Sequence, residues 1–154
     1  MLHRKNGKSL GMTVAEFGLV LPAVMVLLLG TMEMGNMFHS WLTVQKAAQE
    51  AVRIAATGEG ADDGTRMIRI ENKALERMEP LHGTKTVTVS SWPRGQASDT
   101  GSQGSAGSPC EIVEVRASCT YTPLISLMEP ILPDDITLSS ADRKLNEPWR
   151  PCDS

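Results

Sequence analysis

The chain has 154 residues, enough for one ordinary domain, of which 41% are hydrophobic and only 4% aromatic. Its formal net charge is −3 at pH 7, so it lacks the basic surface with which nucleic-acid-binding proteins displace counterions. The charge is unevenly placed, because Arg4, Lys5 and Lys8 stand without an acid in residues 1–11, which leaves −6 (−3 minus +3) for residues 12–154.

The first predicted element is an apolar helix. Sixteen uncharged residues, FGLVLPAVMVLLLGTM, separate Glu16 from Glu33. The stretch from Met12 to Met32 would measure about 30 Å as a helix, which is roughly the hydrocarbon thickness of a bilayer. The basic residues before it predict a cytoplasmic N terminus and an extracytoplasmic body. We therefore expect a single-pass protein of the cytoplasmic (inner) membrane, with its membrane helix over residues 12–38.

Three interpretations of this segment remain open. A cleaved secretory signal is disfavoured because LLLG is followed by TMEMGNMFHSW, which offers no small-x-small cleavage site. A plain signal anchor accounts for the span but not for Glu16, since an acid inside the bilayer is costly. The third interpretation accounts for Gly11 and Glu16 together and comes from a resemblance.

The stretch GMTVAEF, from Gly11 to Phe17, resembles a class III signal sequence: a basic leader, a glycine, four residues, a glutamate and an apolar helix that begins with an aromatic residue. In prepilins a membrane aspartic peptidase cuts after such a glycine, on the cytoplasmic side. The resemblance implies a leader over residues 1–11, cleavage between Gly11 and Met12, and a mature chain whose fifth residue is Glu16. In pilins the glutamate at this place is linked to assembly through the amino-terminal charge of a neighbouring subunit.

A longer pattern is similar to the TadE-like minor pilins of the tight-adherence (Tad, or Flp) pilus system. The similarity covers residues 11–58, and the tail ITLSSADRKLNEPW resembles the last strand of that family less specifically. The positions that carry it are Glu16 with Phe17, Pro22, Glu33 with Gly35, and the alanine-rich residues 47–56 with their arginine.

This resemblance implies a structural or assembly component, a minor pilin or pseudopilin, of a Tad-type pilus. Its partners would be the membrane, other pilins, Tad pilus assembly proteins and prepilin peptidase. The alternative is an uncleaved, single-pass, membrane-anchored extracytoplasmic binding module. Two residues also have plainer interpretations: Pro22 as a simple kink, and Glu33 as a carboxylate at the outer headgroup boundary. We favour the boundary position of Glu33 over a dedicated contact.

Helical periodicity continues beyond the membrane. Apolar residues recur at three- and four-residue steps, namely Trp41, Val44, Ala48, Ala51 and Ala55. With Gly58 as a stop, one helix is predicted from about 13 to 57. Its alanine face suits close packing against either the chain's own domain, the commoner case, or the helix of a neighbouring subunit. The loop EGADDGT offers caps to a second, amphipathic helix at roughly 63–79.

The remaining chain indicates β-strands. Alternating patterns occur in TKTVTVSSW, EIVEVRASCTYT and DDITLSSADRKL, and the last two are separated by the proline-bounded connection PLISLMEPILP. The Gly/Ser-rich residues 94–109 predict a flexible loop. A long N-terminal helix, a second amphipathic helix and a small three- to four-stranded antiparallel sheet fit an α+β, pilin-like domain over residues 39–154.

The three cysteines predict one disulfide in an oxidising extracytoplasmic space. Cys110 and Cys119 lie nine positions apart along one predicted strand, about 30 Å when extended, whereas bridged Cα atoms lie within about 7 Å. Antiparallel pairing of 110–121 with 135–145 would return the end of the chain toward Cys110. We therefore predict a Cys110–Cys152 disulfide, with Cys119 as a buried free thiol.

The sequence carries no pattern typical of an active site. The three histidines lie far apart, the cysteines form no C-x-x-C, and neither a phosphate-binding glycine loop nor a nucleophile elbow occurs. We therefore expect that the protein is not an enzyme. We also expect no cofactor, no bound metal, no nucleic-acid partner and no small-molecule substrate.

Overall fold

The computed structural model describes residues 8–95, 101–126, 129–130, 132–133 and 136–152, with side chains described from residue 14 onward. It confirms the predicted α+β fold: a long N-terminal helix, a second helix and a four-stranded antiparallel sheet. The elements are α1 (Lys8–Thr57), α2 (Arg66–Arg77), β1 (Lys85–Trp92), β2 (Ser102–Gln103), β3 (Ile112–Thr120) and β4 (Thr137–Leu145).

Helix α1 runs without a break from the apolar segment into the domain. Within the described ranges it is the one helix long and apolar enough to cross a membrane, and the most apolar part of it is not buried by the rest of the chain. Pro22 lies inside this helix. The helix ends near Gly58, as predicted, where the backbone adopts a φ of +71° and a Cβ atom would overlap the ring of Trp149.

The C-terminal half of α1 packs on the chain's own domain through its alanine face. Its small side chains let the helix approach the sheet and α2 closely, and they are fully buried. The core residues from α1 are Val44, Ala47, Ala48, Ala51, Val52 and Ala55; they meet Ile70, Ala74 and Met78 in and just after α2 and Val89, Val113, Val115, Ala117 and Cys119 on the sheet. Of the two packing alternatives, the contact with the chain's own domain is therefore the one formed.

The sheet has the strand order β2-β1-β3-β4. Strand β3 lies between its long neighbours, with Val115 opposite Val89 on β1 and Asp142 on β4. Helix α2 is shorter than predicted, and its N-cap residue Thr65 makes no side-chain cap. Instead the Asp63 carboxylate accepts hydrogen bonds from the backbone N–H and hydroxyl of Thr65, which fixes the loop before the helix.

Residues 101–109, which belong to the predicted loop, include a short strand and a buried side chain. Strand β2 pairs with β1 there, with Ser102 opposite Ser91, and the side chain of Ala106 is buried in the core. Gly/Ser-rich composition describes only local preference, so it gave no sign of this pairing or of the buried alanine. The flexibility of the loop stays a prediction. Residues 96–100, which fall in the same predicted loop, lie outside the described residues.

Two buried polar side chains hold this segment in place. The Arg66 guanidinium donates hydrogen bonds to the carbonyl oxygens of Gly107 at 2.5 Å, Ala106 at 3.1 Å and Ala55 at 2.8 Å. The Asn146 amide donates to the Ala106 carbonyl at 2.8 Å. Together they tie the end of α1, the segment around residue 106 and the chain after β4 into one unit, because each buried backbone carbonyl needs a donor.

The end of the chain also returns to the start of β3, as the antiparallel prediction required. Cys110 is bonded to Cys152, with Cα atoms 5.8 Å apart, and the backbone N–H of Cys110 donates to the carbonyl of Asn146. Cys119 is a buried free thiol. This pairing is the one chosen from the sequence, and its formation in the exported protein stays a prediction.

Candidate functional site

The residues predicted to act in processing and assembly lie along α1. Gly11 and Met12 fall in its first turns, where only the backbone is described. Glu16 and Phe17 follow, and both are exposed. The structure does not bring Glu16 near Glu33, because the two residues are about 25 Å apart along the same helix. These two acids therefore belong to different environments.

The environment of Glu16 contains no partner from the described chain. Its carboxylate has no hydrogen bond and no ion pair among the residues that the structure describes, although its neighbours along the helix are apolar. A carboxylate in apolar surroundings is costly without a cation. Gly35, at the other end of the segment, is also open, since a Cβ atom there would meet no described atom within 4 Å.

Glu33 has a dedicated set of contacts, against the interpretation that we favoured from the sequence. The residue is 3% exposed. Its Oε1 accepts a short hydrogen bond from the Tyr121 hydroxyl and another from the backbone N–H of Leu124 at 3.0 Å. Its Oε2 accepts from the backbone N–H of Ile125 at 3.0 Å. The headgroup-boundary position of Glu33 stays a prediction, but the carboxylate is not simply solvated.

A second residue of α1 completes this arrangement. The Asn36 side-chain amide donates to the Tyr121 hydroxyl oxygen at 2.9 Å, so that hydroxyl both accepts from Asn36 and donates to Glu33. We refer to Glu33, Asn36, Tyr121, Leu124 and Ile125 as the Glu33 junction. It fastens the segment after β3 to α1 at the end of the apolar run, which fixes the domain on the helix.

The junction changes the acidity of its tyrosine. Burial, together with the hydrogen bond to the Glu33 carboxylate, raises the pKa of Tyr121 to about 12, from an ordinary value of 10.0. Both causes favour the neutral phenol, because a phenolate would be desolvated and would face a carboxylate. The junction is therefore built for a neutral Tyr121 beside Glu33.

This shift gives a direct spectroscopic prediction, since Tyr121 is the single tyrosine of the chain. Absorbance at 295 nm, followed on the folded chain in detergent micelles, should show a phenol midpoint near 12, against about 10 in denaturant. The folded-state pKa is raised, so the contribution of the neutral phenol to stability is full below pH 10 and is lost as the pH rises toward 12. A midpoint at 10 in the folded chain would contradict the junction. Glu33→Gln should lower the midpoint by removing the facing charge.

Sequence reasoning missed Asn36 and Tyr121. An acid at the end of an apolar run signals that a donor is needed, but the sequence does not say which residue supplies it. Two of the three donors to the Glu33 carboxylate are backbone N–H groups. Nearly every residue type has such a group, so the sequence does not indicate which residues donate. Within the described ranges, no group of three or more His, Cys, Asp or Glu side chains is arranged to hold a metal ion.

The fold and the Glu33 junction define a class of protein. It is an α+β domain built on the C-terminal half of one long helix, and the N-terminal half of that helix fits single-pass membrane anchoring. A model of the TadE-like protein family matches residues 11–53 of the chain. The match confirms the resemblance to TadE-like proteins of the Tad pilus system over a segment that begins at Gly11 and includes both Glu16 and Glu33. No curated protein and no solved structure gives a significant match.

Proposed function

We propose that the chain is a minor pilin or pseudopilin of a Tad-type pilus, and that prepilin peptidase processes it after Gly11. The observation that carries the proposal is the family match over residues 11–53, which begins at the glycine of the class III pattern. TadE-like pilus components are structural proteins, so the proposed role is structural rather than enzymatic.

The shape of the molecule supports this role. The part of α1 that would lie in the bilayer is not covered by the rest of the described chain. Its large apolar side chains, such as Phe17, Leu19 and Leu27, are 63%, 79% and 71% exposed. Such a helix can contact lipid before assembly and the helices of other pilins afterwards. The domain, by contrast, covers its own core and is fixed to α1 by the Glu33 junction.

The state of Glu16 supports a partner outside the chain. Cleavage between Gly11 and Met12 would create a new amino group on Met12, and Glu16 would become the fifth residue. The carboxylate has no cation among the described residues. The amino group of a neighbouring, processed subunit would supply one, which lowers the cost of placing the acid in the bilayer.

Mass spectrometry of the N terminus tests the processing step. In a cell with an active prepilin peptidase, the membrane-extracted chain should begin at Met12. Gly11→Leu should retain residues 1–11, because a side chain at the cut would keep the peptidase from the backbone.

Gly18→Leu is the matched control, since a Cβ atom at Gly18 meets no described atom within 4 Å. It makes the same change seven residues further along α1 and should be cut like the wild type. A wild-type chain that keeps Met1 in such a cell would remove the pilin proposal and leave the uncleaved, membrane-anchored binding module.

A further inference from the structure

One large apolar side chain outside α1, that of Leu124, is exposed beside the end of the apolar run of that helix. Leu124 is 67% exposed and belongs to neither of the hydrophobic clusters of the described core. It follows Pro123, in a connection, residues 123–133, whose one charged residue is Glu129. An exposed leucine alone needs no explanation, but the position of this one is fixed.

The Glu33 junction sets the height of Leu124 along α1. The backbone N–H of Leu124 donates to one Glu33 oxygen and that of Ile125 to the other, both at 3.0 Å. Glu33 is the first acid after the sixteen uncharged residues that we assign to the bilayer. The segment therefore lies beside the helix at the point where the apolar run ends.

The neighbouring part of α1 has the composition of a membrane interface. Phe38 and Trp41 are exposed and stand with their ring centroids 5.7 Å apart, within about 12 Å of Glu33 along the helix axis. Aromatic rings of this kind are enriched at the boundary between headgroups and acyl chains. Leu124 is thus held near a stretch of helix suited to that boundary.

We propose that the segment 123–125 is a second membrane contact of the protein, in which Leu124 enters the headgroup–acyl boundary of the outer leaflet. Transfer of a leucine side chain out of water lowers the free energy. An interfacial contact requires that the side chain enter the bilayer by only about 5–10 Å. Glu33 then has a positioning role, because its two carboxylate oxygens hold the segment 123–125 in place. The protein would contact the bilayer at two places, through α1 and through this segment. The inference rests on the proposed membrane anchoring by α1, and not on peptidase processing.

Spin-label accessibility tests the proposal on the full chain in vesicles of phosphatidylethanolamine and phosphatidylglycerol. Labels are placed by Leu124→Cys, Leu27→Cys and Ile68→Cys in a Cys119→Ala background, with the Cys110–Cys152 bond kept oxidised. Collision with oxygen reports lipid, and collision with a nickel chelate reports water. The oxygen-to-nickel ratio at position 124 should be several-fold higher than at position 68 and lower than at position 27.

Ile68 is the matched control because it is 59% exposed and lies at the far end of the domain. Arg66, two residues before it, donates to the Ala55 carbonyl, which is about 33 Å beyond Glu33 along α1. A ratio at position 124 equal to that at 68 would overturn the proposal. Low access of both colliders at 124 would overturn it too, because a protein neighbour would then cover Leu124. An oxygen-to-nickel ratio at position 27 as low as that at position 68 would overturn the membrane anchoring itself.

Discussion

Replacing Glu33 with alanine is expected to release the segment after β3 from α1. The Leu124 and Ile125 N–H groups would lose their acceptor, and the Tyr121 hydroxyl would keep only the Glu33 backbone carbonyl at 3.4 Å. A donor left unsatisfied away from water costs about 1–3 kcal/mol. Hydrogen exchange of the full chain in detergent micelles should show faster exchange at the amides of residues 124 and 125. The amides of β1 and β3 should keep most of their protection, because the core clusters do not include Glu33.

Two variants separate the junction from a general loss of charge. Glu33→Gln keeps one acceptor oxygen, so it should preserve only part of the protection. Glu50→Ala removes another acid from α1, one whose ion pair with Arg77 is 3.4 Å long and largely exposed; such pairs contribute little, and protection at residues 124 and 125 should not change. Equal exchange in Glu33→Ala and the wild type would show that the carboxylate does not hold the segment.

Most of the fold could be predicted because its elements carry strong periodicity. The alanine and valine spacing of residues 44–55 marks a helix with one apolar face, and that face is the one the sheet and α2 cover. The alternation in β1 and β3 likewise marks strands with one buried face. The placement of Cys152 near Cys110 followed from antiparallel pairing of the last two strands.

The contacts between distant segments could not be predicted in the same way. The Arg66 guanidinium bonds to three backbone carbonyls, 11, 40 and 41 residues away, and backbone acceptors leave no trace in a sequence. Glu33 is a similar case, since its partners lie 88 to 92 residues away. An isolated acid at the end of a membrane helix is also stable when solvated, so the sequence alone gave no reason to expect these contacts.

Glu16 and Glu33, the two acids that flank the apolar run of α1, differ in whether the chain itself supplies hydrogen-bond partners. Glu33 is satisfied within the chain and ties the segment after β3 to α1 at the end of the apolar run. Glu16 has no partner among the described residues, in a stretch where a lone carboxylate is costly. Under the proposed function, Glu33 acts within the chain and Glu16 offers its carboxylate to a neighbouring subunit, so assembly should depend on Glu16.

Glu16→Ala is therefore expected to abolish assembly without preventing insertion. The variant should enter the membrane more readily, by up to about 3 kcal/mol, because an acid has left the hydrocarbon. Cleavage after Gly11 should persist, since the glycine and the leader are unchanged. The amino group of a neighbouring subunit would lose its counter-charge, and no pili should form. Electron microscopy of the cells and mass spectrometry of the membrane-extracted N terminus would measure the two effects separately.

The control for this experiment is Val20→Ala, which shortens a side chain that is 54% exposed on the same helix but leaves every charge in place. It should be cut and assembled like the wild type. Glu16→Asp keeps the carboxylate on a stem one methylene shorter and should recover part of the assembly that alanine removes. Normal pili in Glu16→Ala would contradict the pairing of Glu16 with a neighbouring amino group, whereas loss of cleavage in the same variant would mean that Glu16 acts at the peptidase instead.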